Sequence, residues 1–280
     1  MSSDTTRVLV VDDSSVIRKI VCDALDAHPK IEVQGTALNG KLALHRILTD
    51  PPDLVILDLE MPEMTGMEVL QELKNKGIKI PVIIFSAFSE QGARVTLDAL
   101  ALGATDYVTK PSTDKKIQDA KQTVELDLIN KILSVTGNLD STSPGDSTLH
   151  TRTNRGQLCK THFKAIAIGS STGGPNALEA VLSDLPHPLP IPVFITQHMP
   201  PVFTKMLAER LRLQSNHLVK EAEDQEIVQP GYVYVAPGDF HMGVRSDGQN
   251  VRITLSQTPP ENRCRPAVDV MLRSMSEVYG

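Results

Sequence analysis

Up to Lys110 the chain alternates short β-branched runs with amphipathic stretches, and this alternation leaves little choice of architecture. Each run reads as a strand, each stretch as a helix, and the strands pair in parallel. Strands are predicted at 7–11, 32–37, 54–57, 82–85 and 106–109. Helices are predicted at 15–27, where Val16, Ile20, Val21 and Leu25 share a face, and at 41–48, 67–76, 94–102 and 114–135. In such a sheet the residues just past the strand carboxyl ends line one crevice. Asp12 and Asp13 follow the first strand, Asp58 the third, Ser86 the fourth and Lys110 the fifth.

Three carboxylates gathered there repel one another unless a cation neutralises them. Mg²⁺, a small hard ion that keeps several waters, is the expected partner. Asp58 is then the candidate nucleophile toward a phosphoryl group, Asp12 and Asp13 hold the metal, and Ser86 and Lys110 bind phosphoryl oxygens. Taken singly the pieces have plainer readings: Asp-Asp before a helix is an N-cap pattern, Lys110-Pro111 a loop, Ser86 a turn. Caps alone do not place polar residues at the same end of successive strands.

These stretches, Val11-Asp12-Asp13-Ser14, Leu57-Asp58-Leu59-Glu60-Met61-Pro62, Ser86-Ala87 and Lys110-Pro111, resemble a two-component receiver domain over residues 5–122. The resemblance implies a flavodoxin-like sheet of order 2-1-3-4-5, phosphorylation of Asp58 by a histidine kinase, and the Glu60 carbonyl as a further metal ligand. It also implies a switch in which Ser86 moves toward the phosphate and the ring of Tyr107 reorients.

A length of 280 residues suits two domains. The net charge of −6 argues against a nucleic-acid partner, and no recognition helix with clustered Lys or Arg supports a DNA-acting regulator. Cys22, Cys159 and Cys264 lack metal spacing and read as reduced, buried or incidental. The apolar run 8–11 is too short for a secretory signal, and no stretch approaches the roughly 20 residues of a membrane span. The expected location is cytoplasmic, with no direct membrane insertion. Residues 123–161 read as a charged helix and then a polar tether from 136 onward. The helix either packs between domains or is a solvated extension.

A new βα unit opens with a strand at 165–168, the turn Gly169-Ser170-Ser171-Thr172-Gly173-Gly174 and a helix at 175–183. A strand-to-helix turn of this kind exposes Ser171 as a candidate nucleophile; glycine-rich turns also serve as phosphate sites. The next strand, 193–196, ends at Gln197-His198, and Pro200-Pro201 starts a helix ending near Leu213. His198 is the candidate base for Ser171. Its position one helix after the serine is not the order of the ordinary α/β-hydrolases. Further strands are predicted at 232–236 and 251–255.

Ile168-Gly169-Ser170-Ser171-Thr172-Gly173-Gly174-Pro175, Ile195-Thr196-Gln197-His198-Met199-Pro200-Pro201, the stretch from Val219 to Asp224, that from Tyr234 to Met242 and Arg265-Pro266-Ala267-Val268-Asp269-Val270 resemble the chemotaxis protein-glutamate methylesterase (CheB) family. This resemblance covers 162–280 and implies a doubly wound α/β methylesterase domain after the receiver. It implies hydrolysis of glutamate γ-methyl esters on the cytoplasmic helices of methyl-accepting chemoreceptors, deamidation of receptor glutamines, and no cofactor at the hydrolase site. The Thr172 N–H is a candidate oxyanion donor. Arg263, Arg265 and Asp239 are either substrate contacts or surface charge. The family precedent also has the receiver lying over the Ser171 cleft until Asp58 is phosphorylated.

One departure stands out. The family's triad acid lies in a Gly-Met-Gly-Asn-Asp-Gly loop that these 280 residues do not contain, and Asp269, read as mid-helix, is no substitute. The expectation is a catalytic domain incomplete at its C-terminus, with a bare sheet edge and weak or no activity. The alternative is a phosphorylation-responsive binding protein without hydrolase activity.

Overall fold

The computed structural model describes residues 5–110, 117–137 and 163–280, apart from the side chains of 117–126. Two parallel sheets are arranged in sequence. The first contains β1 (Thr6–Val11), β2 (Ile31–Ala37), β3 (Leu54–Leu57), β4 (Val82–Ser86) and β5 (Asp106–Thr109), in the order β2-β1-β3-β4-β5. Every neighbouring pair is parallel. Val11 pairs with Leu57, so Asp12 and Asp58 emerge side by side.

Helices α1 (Ser15–Leu25), α2 (Gly40–Thr49), α3 (Gly66–Asn75), α4 (Glu90–Leu102) and α5 (Ile117–Thr136) cover both faces. Their starts are locally encoded. Ser14 caps α1, and Thr65 with Glu68 forms a reciprocal capping box on α3. Ser89 caps α4 and begins it four residues earlier than the apolar pattern shows. The helix expected to be solvated or to lie between domains belongs instead to the receiver core. Leu128 and Ile132 of α5 are fully buried and cluster with Val21, Leu25 and Val108. The expected tether lies outside the described residues beyond 137, as does Cys159.

The second sheet contains β6 (Ile166–Ser170), β7 (Val193–Gln197), β8 (Leu218–Glu221) and β9 (Tyr232–Val235), in the order β6-β7-β9-β8, all parallel. Helices α6 (Gly174–Asp184) and α7 (Phe203–Ser215) pack on one face through Val193 and Ile195. Helix α8 (Val268–Tyr279) and the hairpin of β10 (His241–Ser246) with β11 (Val251–Ser256) pack on the other, through Phe194 and Tyr234. The domain is thus doubly wound. Strand β6 forms one edge of the described sheet and is half-buried along most of its length.

Two differences from the sequence reading have physical causes. Helix α7 begins at Phe203 rather than at the proline pair, because Val202 adopts φ 73°, outside the helical region. Strand β10 contains His241 and Gly243 and has little propensity of its own. It is held by antiparallel pairing with β11 and by Met242 and Val244 packing against Met271 and Met275.

Candidate functional site

The receiver crevice assembles as expected. Asp12 and Asp58 are almost wholly buried, Asp13 is exposed, and oxygens of all three lie within 4.8 Å of one another. Lys110 Nζ reaches Asp12 Oδ2 at 2.8 Å and Asp58 Oδ2 at 2.7 Å. Asp12 Oδ2 touches the lysine off the line of a hydrogen bond and has no other donor. A buried oxygen left so, in an all-carboxylate set, fits a hard divalent cation. Burial raises the Asp58 pKa, opposed by the Lys110 hydrogen bond. Burial lowers that of Lys110, but its close pairing with Asp12 and Asp58 outweighs it and the net shift is upward.

Asp13, Asp58, Glu60, Ser86 and Lys110 line a common cavity of about 240 Å³. Ser86 Oγ accepts a 2.6 Å hydrogen bond from Thr96 Oγ1. Tyr107 does not line this cavity; its ring stacks on Phe203 at a centroid distance of 4.7 Å and an interplanar angle of 5°.

That stack joins the two sheets. Phe88 extends it at 6.4 Å from Phe203, Asn176 Nδ2 donates to the Leu100 carbonyl at 2.8 Å, and Arg210 binds Asp98 at 3.0 Å and Glu179 at 3.3 Å. Helix α4 therefore packs on α6 and α7, the helices that follow the Ser171 and His198 loops. Ser171 itself stays exposed, while the contacts at Asn176 and Phe203 fall in the first turns of α6 and α7.

In the second sheet Ser170 pairs with Gln197 across β6 and β7, which places Ser171 and His198 as the next residues on adjacent strand tips. The turn depends on two glycines. Gly173 has φ 72°, and a Cβ on Gly174 would fall 1.8 Å from Gln197 Oε1. Gln197, which is 3% exposed, accepts from Ser170 Oγ at 2.6 Å and donates to the Ser171 carbonyl at 3.0 Å. Its clamping role was missed in the sequence, although a carboxamide ending a buried strand was a visible signal.

His198 is half-buried, its Nδ1 lies 3.6 Å from Cys264 Sγ, and its Nε2 has no hydrogen bond among the described residues. Burial lowers the His198 pKa, partly offset by the charge of Asp269. Cys264, expected to be incidental, is therefore part of the site. Asp269 lies in the first turn of α8, not mid-helix, because the helix begins at Val268; its hydrogen-bond partner is Asn262, not His198. Thr172 follows Ser171 in the same turn and is half-buried. Arg265 is held by Asp239.

A receiver joined to a second, doubly wound α/β domain defines a response regulator with an enzymatic output. Family models described as "Response regulator receiver domain" and "CheB methylesterase" match residues 8–122 and 166–280. The protein-glutamate methylesterase/protein-glutamine glutaminase of Nocardioides sp. (strain ATCC BAA-499 / JS614) is 46% identical over 98% of this chain and 76% of its own. That of Trichodesmium erythraeum (strain IMS101) is 43% identical over 98% of this chain and 79% of its own. The crystal structure of the Thermotoga maritima CheB methylesterase catalytic domain is 48% identical, covering 42% of this chain and 63% of its own, with a TM-score of 0.41. The chain belongs to the protein-glutamate methylesterase/protein-glutamine glutaminase family.

Proposed function

We propose that this chain hydrolyses glutamate γ-methyl esters and deamidates glutamines on the cytoplasmic helices of chemoreceptors, under control of phosphorylation at Asp58. The observation that carries the reading is the parallel register of β6 and β7, with Ser171 and His198 one residue beyond a paired position. Ser171 Oγ attacks the γ-carbonyl while His198 accepts its proton; the imidazolium gives that proton to the methoxide oxygen as the C–O bond breaks, releasing methanol, and water then cleaves the acyl-enzyme. A depressed His198 pKa keeps the imidazole neutral and ready to act as a base at neutral pH. The Thr172 N–H donates to the developing oxyanion.

In the receiver, Asp58 takes a phosphoryl group from a histidine kinase, and Ser86 and Lys110 bind its oxygens. Asp12, Asp13, Asp58 and the Glu60 carbonyl are the proposed Mg²⁺ ligands, and the ion when bound neutralises charge on the phosphoryl oxygens. Ser86 leaves Thr96, Tyr107 reorients, and the contact with Phe203 weakens. Phosphorylation thus shifts a population from docked to open domains. No helix among the described residues is long and apolar enough to cross a membrane, which supports the cytoplasmic location proposed here.

Methanol release from methylated receptor membranes tests the reading. Ser171→Ala abolishes it whatever the phosphorylation state, whereas Asp58→Asn keeps the basal rate and loses stimulation by kinase. Normal stimulation of the Asp58 variant, or turnover by the Ser171 variant, refutes the proposal.

A further inference from the structure

A tight turn stands beside His198. Glu261 and Cys264 exchange both backbone hydrogen bonds, at 3.1 and 2.9 Å. Between them Asn262 and Arg263 adopt left-handed backbones, with φ 52° and 64°. This is the geometry of a type I′ turn, whose second central position ordinarily takes glycine. A long side chain held there is strained, and such strain persists where the surroundings over-determine it and clusters at functional sites.

The surroundings do over-determine it. The Glu261 carboxylate receives two nitrogens of Arg273, at 2.7 and 2.5 Å. Asn262 Nδ2 donates to Asp269 Oδ2 at 3.1 Å, and Cys264 Sγ lies 3.6 Å from His198 Nδ1. The fourth side chain, Arg263, is exposed and has neither ion pair nor hydrogen bond among the described residues. Arg265, two positions on, is by contrast fully engaged: Nε and Nη2 bind Asp239 Oδ1, and Nη1 binds the carbonyls of Gln257 and Thr258. An unpaired, exposed guanidinium is thus carried on a held backbone one residue from the thiol that touches the candidate base.

We propose that Arg263 recognises a carboxylate on the substrate, and that the hydrolase site selects acidic protein segments in which the reacting glutamyl ester has an ionised Glu or Asp neighbour. This rests on the proposed ester hydrolysis at Ser171 and adds the substrate class. The ester being cleaved is uncharged, so the recognised anion is a neighbour and not the reacting group. A planar guanidinium fork pairs with a carboxylate through two parallel hydrogen bonds, a geometry lysine does not reproduce.

The test uses the full 280-residue chain carrying Ser171→Ala, with Mg²⁺ and acetyl phosphate present, and fluorescence anisotropy of two labelled helical peptides. Each peptide holds one γ-methyl glutamate, flanked by glutamates in one and by glutamines in the other. The parent binds the glutamate-flanked peptide more tightly. Arg263→Gln weakens that binding about tenfold and leaves the glutamine-flanked peptide unchanged, as expected for loss of one charge-assisted pair. Arg263→Lys restores part of the preference, and salt suppresses it. A parent that binds the two peptides alike or not at all, or an Arg263→Gln variant that keeps the preference, overturns the proposal. Methanol release by the chain with Ser171 intact is followed in parallel. An Arg263-dependent preference without release sinks the hydrolysis reading alone, and release without that preference sinks the recognition alone.

Discussion

Replacing Tyr107 with leucine removes one aromatic face from the contact that joins the two sheets. Tyr107 is 4% exposed, Phe203 is fully buried, and the rings are nearly parallel at 4.7 Å. Leucine keeps the apolar bulk, so the loss is the ring-on-ring contribution, about 0.5–1.5 kcal/mol beyond area burial. If docked and open arrangements exchange, that loss multiplies the open fraction by about 2- to 13-fold, since each 1.4 kcal/mol is roughly a factor of ten. The substitution also removes the Lys131 ammonium contact with the Tyr107 ring, at 4.9 Å, which lies within the receiver. Phe203→Leu leaves that contact intact and so isolates the interface. Because the chain has no tryptophan, a Phe88→Trp background places a single indole beside Phe203. In both leucine variants the indole emission should shift toward the water-exposed value, and basal ester hydrolysis without phosphodonor should rise by the same factor. Unchanged emission and unchanged basal turnover in both variants would refute the view that this stack holds the domains together.

Asp269 raises the His198 pKa against the downward pull of burial, so Asp269→Asn should lower it further. The acid limb of the pH-rate profile then moves to lower pH, and an upward move would contradict the assigned sign. Gln197→Leu strands the Ser170 hydroxyl and the Ser171 carbonyl; two lost hydrogen bonds at about 1–1.5 kcal/mol each predict a kcat lower by roughly 30- to 150-fold, with KM little changed. A large change in KM with kcat intact would show that Gln197 does not position the serine turn. Asp12→Asn should weaken Mg²⁺ binding at least about tenfold by calorimetry, because it removes a charged oxygen from a buried site; unaltered affinity would place the metal elsewhere.

Most of the receiver was legible in the chain itself, because its strands are β-branched and bounded by cap residues such as Ser14 and Thr65, and each candidate side chain stands at a strand end. In the second domain the Ser171 turn and His198 were legible for the same reason. Strand β8 was quoted only as part of a motif, and β10 was not foreseen, because each has weak propensity and depends on its sheet partners. The partners of Gln197 and Cys264 could not be read because each acts through a neighbour distant in sequence: the turn that begins at Ser170 for one and His198 for the other.

The order of residues alone determined the alternation of strands and helices, the common end at which Asp12, Asp58 and Lys110 emerge, and the adjacency of the serine and histidine loops. These follow from periodicity and from the handedness of parallel connections, which are local rules. Tertiary structure alone decided that α5 is receiver core, that Tyr107 rests on Phe203, and that Arg265 is consumed by Asp239 while Arg263 stays free. Those outcomes depend on which surfaces meet, and burial of apolar area carries no sequence code for its partner.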